Sequence, residues 1–381
     1  MSNKKTVLIA GGGPAGMMAA WRLSPYFRVL LFEKEKNFGR KFLVAGNGGL
    51  NITNSAEGEA LFSKYIPDGL LDEALTLFGP QQLREWLNAL EIPTYTGSSG
   101  RVFPVRELKA SDVLRKMTNS LLSEGVELCP DHRLIAFEPD MKFRFESAEG
   151  NREVQADYAV FAFGGASWPV TGSDGKWTDM FNTCGIDTVK FQSSNCGAEV
   201  DWPGAVLDFH EGKPLKNVEL SVNGKTSRGE VLITAYGLEG NALYPVIPEI
   251  RKTLAEGESP ELTIDFKPFN QPEQLLKRLG NSQPASSAYL KCLGISPQAL
   301  ALVKAGTGKE EFLDPRLFIG KLKGMPVKVK ALRPLEEAIS SVGGLSLSEV
   351  SPDFSLKKFP RIFTAGEMLD WDAPTGGFLL Q

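Results

Sequence analysis

Gly11-Gly12-Gly13-Pro14-Ala15-Gly16 sets three glycines at the spacing of a turn that cradles a diphosphate, and Glu33 follows downstream. Each residue type has its own chemical reason. Gly11 permits a tight turn, Gly13 lets the backbone approach a pyrophosphate, and Gly16 lets a helix lie close against its strand. At the start of that helix, unpaired amides and the helix dipole attract phosphates. A carboxylate at Glu33 accepts hydrogen bonds from ribose hydroxyls and disfavours a 2′-phosphate. The glycine pattern alone is weak, since a purely structural loop can carry it. Its surroundings strengthen it: an apolar run at 7–10 precedes the turn, a helical stretch at 17–23 follows, and 28–32 reads as a buried strand ending at Glu33. Strand, glycine turn, helix, strand and acid make one βαβ unit for a dinucleotide.

Other catalytic chemistry is thinly supported. His132 and His210 have no neighbouring HExxH, cysteine or carboxylate cluster, so zinc hydrolysis and Ser-His catalysis are not indicated. Cys129, Cys184, Cys196 and Cys292 form no CxxC pair and read as reduced thiols. With so few groups titrating near neutral pH, a bound cofactor is expected to carry the hard step. Segment 38–54 is rich in Gly and Asn, which give backbone freedom and close approach to a planar or charged ligand. Arg40, Lys41, Gly48 and Asn51, with Lys34 just upstream, are candidate cofactor contacts there; the alternative is an ordinary mobile loop. The buried run 157–163 ends abruptly in Gly164-Gly165, and such a turn at the carboxyl end of a parallel strand is where open α/β sheets bind ligands.

The elements that position these residues alternate between two styles. Helices are expected over 70–90, broken at Gly79-Pro80, and over 110–123, and a meander of short strands over 126–128, 133–137, 142–146 and 153–155. From about 195 the pattern becomes strands at 197–200, 216–222 and 225–231, then helices at 272–279, 284–292 and 297–304. After 332 the first style returns, with a strand at 361–365 running into Gly366-Glu367. The end, 372–381, reads as a helix just beginning. We therefore expect a discontinuous domain, 1–194 with 333–381, carrying an insert at 195–332 that is β-rich to about 270 and helical beyond.

The 381 residues carry 42 Lys and Arg against 46 Asp and Glu, a formal charge of −4, with 42% hydrophobic residues. That composition excludes disorder and a collagen-like chain. It argues against electrostatically driven binding to nucleic acid or membrane lipid. No membrane-spanning or signal segment is apparent, so a cytoplasmic protein is expected.

Taken together, GGGPAG with Glu33, Gly164-Gly165-Ala166-Ser167-Trp168-Pro169, Gly172-Ser173-Asp174-Gly175, Gly100-Arg101-Val102-Phe103-Pro104, Ala365-Gly366-Glu367 and Pro374-Thr375-Gly376-Gly377 resemble the YhiN/BaiN-like bacterial FAD-dependent flavoproteins, of the glutathione-reductase-like Rossmann class. The resemblance covers essentially the whole chain. It implies an α/β fold: a discontinuous Rossmann-like FAD-binding domain with an inserted β-barrel-like and small helical domain. It also implies that Gly11, Gly13, Ala15 and Gly16 hold the pyrophosphate and Glu33 the adenosine ribose. Gly366 and Glu367 would serve the ribityl-diphosphate region, and Gly376, Gly377 and Phe378 the pyrimidine end of the flavin. Many members have an Arg-Cys pair just before the asparagine matching Asn51; this chain has Gly49-Leu50. Members also usually continue into a full helix after the position of Gln381.

The expected activity is hydride transfer through FAD to an unsaturated or carbonyl-containing small molecule, with NAD(P)H as a transient reductant. Two residues are candidates for the chemistry at the substrate. Tyr236 could donate a proton to a developing enolate, and Arg101 could stabilise a substrate oxyanion; packing and a solvated charge are the plain alternatives. A flavin-binding sensor or scaffold without turnover and a flavin-dependent RNA-modifying enzyme are the rival readings.

Overall fold

The computed structural model describes residues 4–46 and 49–381. They form two compact units: Met1–Gln192 with Ile339–Gln381, and Ser193–Ala338.

In the first unit, six strands form one sheet in the order Ser355–Leu356, Phe359–Thr364, Tyr158–Phe161, Thr6–Ala10, Arg28–Phe32, Glu127–Cys129. Neighbours are parallel except Ser355–Leu356, which runs antiparallel at the edge. Ile9 stands opposite both Leu31 and Val160. The strands are buried on both faces, as a doubly covered parallel sheet requires. Leu8, Ala10, Leu30, Phe32 and Phe161 enter one core, and Val7, Ile9, Val29, Leu31 and Val160 the other. Helix Pro14–Leu23 packs Met17 and Ala20 into the second core. The chain leaves Thr6–Ala10 for a neighbour on one side and returns to it later on the other. At that switch the loops diverge and open a crevice at the carboxyl ends of the strands.

Three differences from the expectations have physical reasons. Residues 126–128 were expected in the meander, but Glu127–Cys129 pairs parallel with Arg28–Phe32 and extends the main sheet. The meander is Arg133–Phe137, Lys142–Ser147 and Gly150–Gln155, whose Phe137 and Phe143 pack on Phe161 while Phe145 stacks on Phe32. Segment 38–54 is not one irregular loop, since Arg40–Ala45 is helical and buries Phe42. Residues 372–381 form no helix. They bend through 375–379, held by a Tyr65 hydroxyl donating to Phe378 O at 2.9 Å and by Gln381 Nε2 donating to Phe78 O at 3.1 Å.

The second unit is an antiparallel sheet of seven strands in the order Met325–Lys328, Glu261–Asp265, Pro214–Val222, Lys225–Thr234, Gly237–Glu239, Ala198–Glu199, Ala331–Leu332. Its two edge strands are separated by only Val329 and Lys330, so the sheet must curl toward itself. Val329 N donates to Pro260 O beside one edge, and Lys330 N donates to Glu199 O at the other, both near 3 Å. Helices Pro272–Leu279, Ser286–Leu293, Pro297–Ala305 and Pro315–Lys323 bury Leu275, Tyr289, Leu302 and Phe318 in the same core. Among the described residues no helix is long and apolar enough to cross a membrane.

Candidate functional site

A cavity of about 970 Å³ opens in the first unit where its parallel strands end, at Ala10, Phe32, Ala162 and Ala365. The three glycines of the turn stand differently toward it. Gly11 has φ +113°, and a Cβ there would lie 2.1 Å from Ala162 O, so the turn presses on the neighbouring strand. A Cβ on Gly16 would lie 1.8 Å from Gly11 O, so helix and strand touch backbone to backbone. A Cβ on Gly13 would meet nothing within 4 Å. Two of the glycines are therefore needed by the fold, and the third leaves a bare face on the cavity.

Glu33 lines the cavity beside that turn. One carboxylate oxygen accepts Gly12 N at 2.7 Å, and the other accepts Glu35 N at 2.9 Å. Burial pushes its carboxyl above the usual range, partly offset by those two bonds. Each oxygen keeps a lone pair for a further donor. His132 stands next to it, its backbone N–H on Glu33 O and its Nδ1 2.6 Å from Pro130 O.

From the glycine turn the wall continues through Ala15 and Gly366 to a charged network. Lys41 Nζ donates to Ser167 Oγ at 2.7 Å and to Glu367 at 2.8 Å, and Glu367 also accepts Ser341 N at 3.0 Å. Lys34 pairs with Asp174 at 3.0 Å. Arg40 pairs with Glu35 and donates to Val170 O at 2.8 Å. Lys34, Arg40 and Lys41 thus all have partners, and each of the three reaches the 167–174 loop.

Gly11, Gly13, Pro14, Ala15, Glu33, Lys34, Arg40, Lys41, Asn51, Gly164, Gly366, Glu367, Gly376 and Gly377 all line this one cavity. Gly16 is buried behind the turn. Gly165 faces Ser341 and Glu367, where a Cβ would fall 2.0 Å from Ser341 Oγ, so its role is close packing. Phe378 turns into the core against Tyr65 instead of the cavity. Gly48 lies outside the described residues. Arg101 adjoins the wall through Gly376, with its Nε 3.7 Å from where a Cβ there would be. Tyr236 belongs to the second unit, where its hydroxyl donates to Glu239 and the Arg333 guanidinium lies 4.5 Å from its ring centre. Burial and that carboxylate push the phenol well above its ordinary value, which makes it a weaker acid than a free tyrosine.

In the sequence Ser173 stands out only as part of the glycine turn Gly172-Ser173-Asp174-Gly175. Its hydroxyl, together with Asn51 Oδ1, is one of two buried polar atoms on cavity residues with no partner among the described residues. A bare glycine face at a helix start, a carboxylate with spare lone pairs and two unsatisfied polar atoms fit the diphosphate, ribose and polar edges of FAD. Among the described residues no group of three or more His, Cys, Asp or Glu is placed to hold a metal.

The family described as HI0933-like protein Rossmann domain matches residues 5–381. A 3-dehydro-bile acid delta(4,6)-reductase of Clostridium scindens is 26% identical, over 98% of this chain and 95% of its own. A ribosomal RNA dihydrouridine synthase of Escherichia coli is 23% identical, over 98% of this chain and 94% of its own. Among solved structures, a 3-ketosteroid-delta4-(5alpha)-dehydrogenase of Rhodococcus jostii is 14% identical with a TM-score of 0.49, covering 99% of this chain and 92% of that one.

Proposed function

This chain belongs to the HI0933-like Rossmann family and is an FAD-dependent oxidoreductase, and we propose that it saturates a carbon–carbon double bond conjugated to a carbonyl in a small molecule. The observation that carries the FAD reading is the contrast within the glycine turn: Gly11 and Gly16 are closed by backbone, while Gly13 is open to the cavity. The relatives support the reaction class, since the Clostridium scindens name describes reduction of a 3-dehydro bile acid and the Escherichia coli name describes conversion of uridine to its dihydro form. Both names imply saturation of a double bond beside a carbonyl.

In this reading the amides of Gly13 and Ala15 and the start of helix Pro14–Leu23 bind the diphosphate, and Glu33 accepts the adenosine ribose hydroxyls. Lys41, fixed by Ser167 and Glu367, adds a positive charge to the same wall. FAD held there, once reduced by NAD(P)H as the proposed reductant, would supply the hydride for the β-carbon of the substrate. Arg101 stabilises the negative charge that develops on the substrate carbonyl oxygen. Tyr236 is the proposed proton donor to the α-carbon, and its hydroxyl must turn from Glu239, or be resupplied by it, to serve.

One observation favours an RNA substrate as a second reading. Residues 267–330 hold eleven Lys and Arg against four Asp and Glu, a local charge of +7 within a chain of net −4. The test is anaerobic: the purified protein is examined for flavin absorbance and reduced, and reoxidation is followed with a panel of enones or a uridine-containing RNA. Reoxidation by an enone with formation of the saturated ketone supports the first reading, and dihydrouridine in the RNA supports the second. Flavin that is reduced but reoxidised by neither leaves a binding protein without this turnover.

A further inference from the structure

Asn51 is held by both protons of its side-chain amide. Nδ2 donates to Thr53 O at 2.8 Å and to Val102 O at 3.1 Å. Both partners are carbonyls, which only accept, so the amide cannot be turned over without setting oxygen against oxygen. Its orientation is therefore fixed by the backbone of segment 51–53 and strand Arg101–Pro104. The carbonyl oxygen, Oδ1, is buried without a donor among the described residues, on a residue that lines the cavity. A buried acceptor left unpaired is costly, and native structures keep few of them.

The neighbouring wall is equally rigid. Asn54 Nδ2 donates to Gly376 O at 2.8 Å, and a Cβ on Gly377 would lie 2.2 Å from Thr53 O. Asn51 thus belongs to a tightly packed stretch of wall with Gly376 and Gly377. Glu33 and His132 belong to another, reached through the glycine turn and the Lys41 network.

We infer that Asn51 Oδ1 is the acceptor for the N3–H of the isoalloxazine ring and fixes the pyrimidine edge of the flavin in the cavity. This rests on the FAD reading above. Oxidised isoalloxazine has a single N–H, at N3, and the adenine amino group goes with the ribose that Glu33 takes. The ribityl hydroxyls can also donate, and the test separates them from N3.

Apoprotein is titrated with FAD and with FAD methylated at N3, following flavin fluorescence. Methylation removes the donor and leaves Oδ1 unpaired, so the unmutated protein should bind the analogue about 5- to 150-fold more weakly than FAD. Asn51→Ala removes the acceptor, so this preference should collapse to within about twofold, while FAD itself binds more weakly. The measurement on the unmutated protein needs no variant to fold, and thermal unfolding of Asn51→Ala apoprotein checks the variant. Equal affinity of the unmutated protein for both ligands would overturn the assignment and point to a ribityl hydroxyl. A preference that survives in Asn51→Ala would also overturn it, by placing the N3 acceptor elsewhere. Failure to bind either ligand would overturn the FAD reading itself and the assignment with it.

Discussion

Gly13→Val tests the cofactor turn most directly, because the structure predicts opposite effects on fold and on binding. Gly13 has φ −79° and ψ −177°, extended backbone that valine adopts without strain. Its side chain would meet no protein atom near Cβ. The change in apoprotein stability should therefore stay near that of an innocuous surface substitution, about 0.5 kcal/mol or less, or about 2 °C in Tm. In the holoprotein the branched side chain stands where the diphosphate approaches the amides of Gly13 and Ala15. Losing two charge-assisted hydrogen bonds of about 1.5–3 kcal/mol each removes about 3–6 kcal/mol, or about 10²- to 10⁴-fold in FAD affinity. Gly16→Ala is the contrasting variant: its Cβ would sit 1.8 Å from Gly11 O, and the backbone shift it forces should destabilise the apoprotein by about 1–3 kcal/mol. Thermal unfolding of both apoproteins, with FAD titration of Gly13→Val, makes the measurement. Gly13→Val protein that carries stoichiometric FAD with Kd within about threefold of the parent would refute the assigned turn.

Glu33→Gln should weaken FAD about 10- to 150-fold through loss of charge-assisted bonds to the ribose, read by fluorescence titration. Because burial raises the Glu33 carboxyl in the folded protein, the folded state favours the protonated form. The stability this group contributes is present below the ordinary carboxyl range and is lost as pH rises through the raised value. The Gln variant's apoprotein should therefore gain on the parent in thermal unfolding from about pH 4.5 upward; a constant gap would remove Glu33 as a buried titrating group. Lys41→Met leaves half-buried Glu367 without its cation and should cost about 1–3 kcal/mol in urea unfolding, with a smaller loss when Glu367→Gln is made as well. Arg101→Ala should slow flavin reoxidation by an enone about 10²- to 10³-fold while leaving flavin reduction and FAD affinity unchanged. Stopped-flow separation of the half-reactions decides that case, and Tyr236→Phe in the same assay tests the proton donor, whose removal should cost about 10²- to 10⁴-fold.

The glycine turn and its flanks were legible in the sequence because their constraints are local. Gly11 and Gly16 are needed where the backbone of one βαβ unit touches itself or the next strand, and Glu33 follows directly from the strand that ends beside them. The same holds for helix Ala110–Ser123, whose apolar spacing alone defines its buried face. Tertiary structure decided what depends on distant partners. Residues 127–129 look like any short strand, and only the free edge of Arg28–Phe32 made them part of the main sheet. Phe378 has the composition of a ligand-facing aromatic, yet Tyr65, more than three hundred residues earlier, offers it an apolar seat and bonds its carbonyl. Gly165 is followed closely by Ser173 in sequence, but Ser341 and Glu367 crowd the first while nothing described reaches the hydroxyl of the second. The orphaned oxygen of Asn51 was invisible for the same reason. Residue type tells what a side chain can bond, and which of its atoms are left unbonded depends on carbonyls, such as that of Val102, that folding brings from far along the chain.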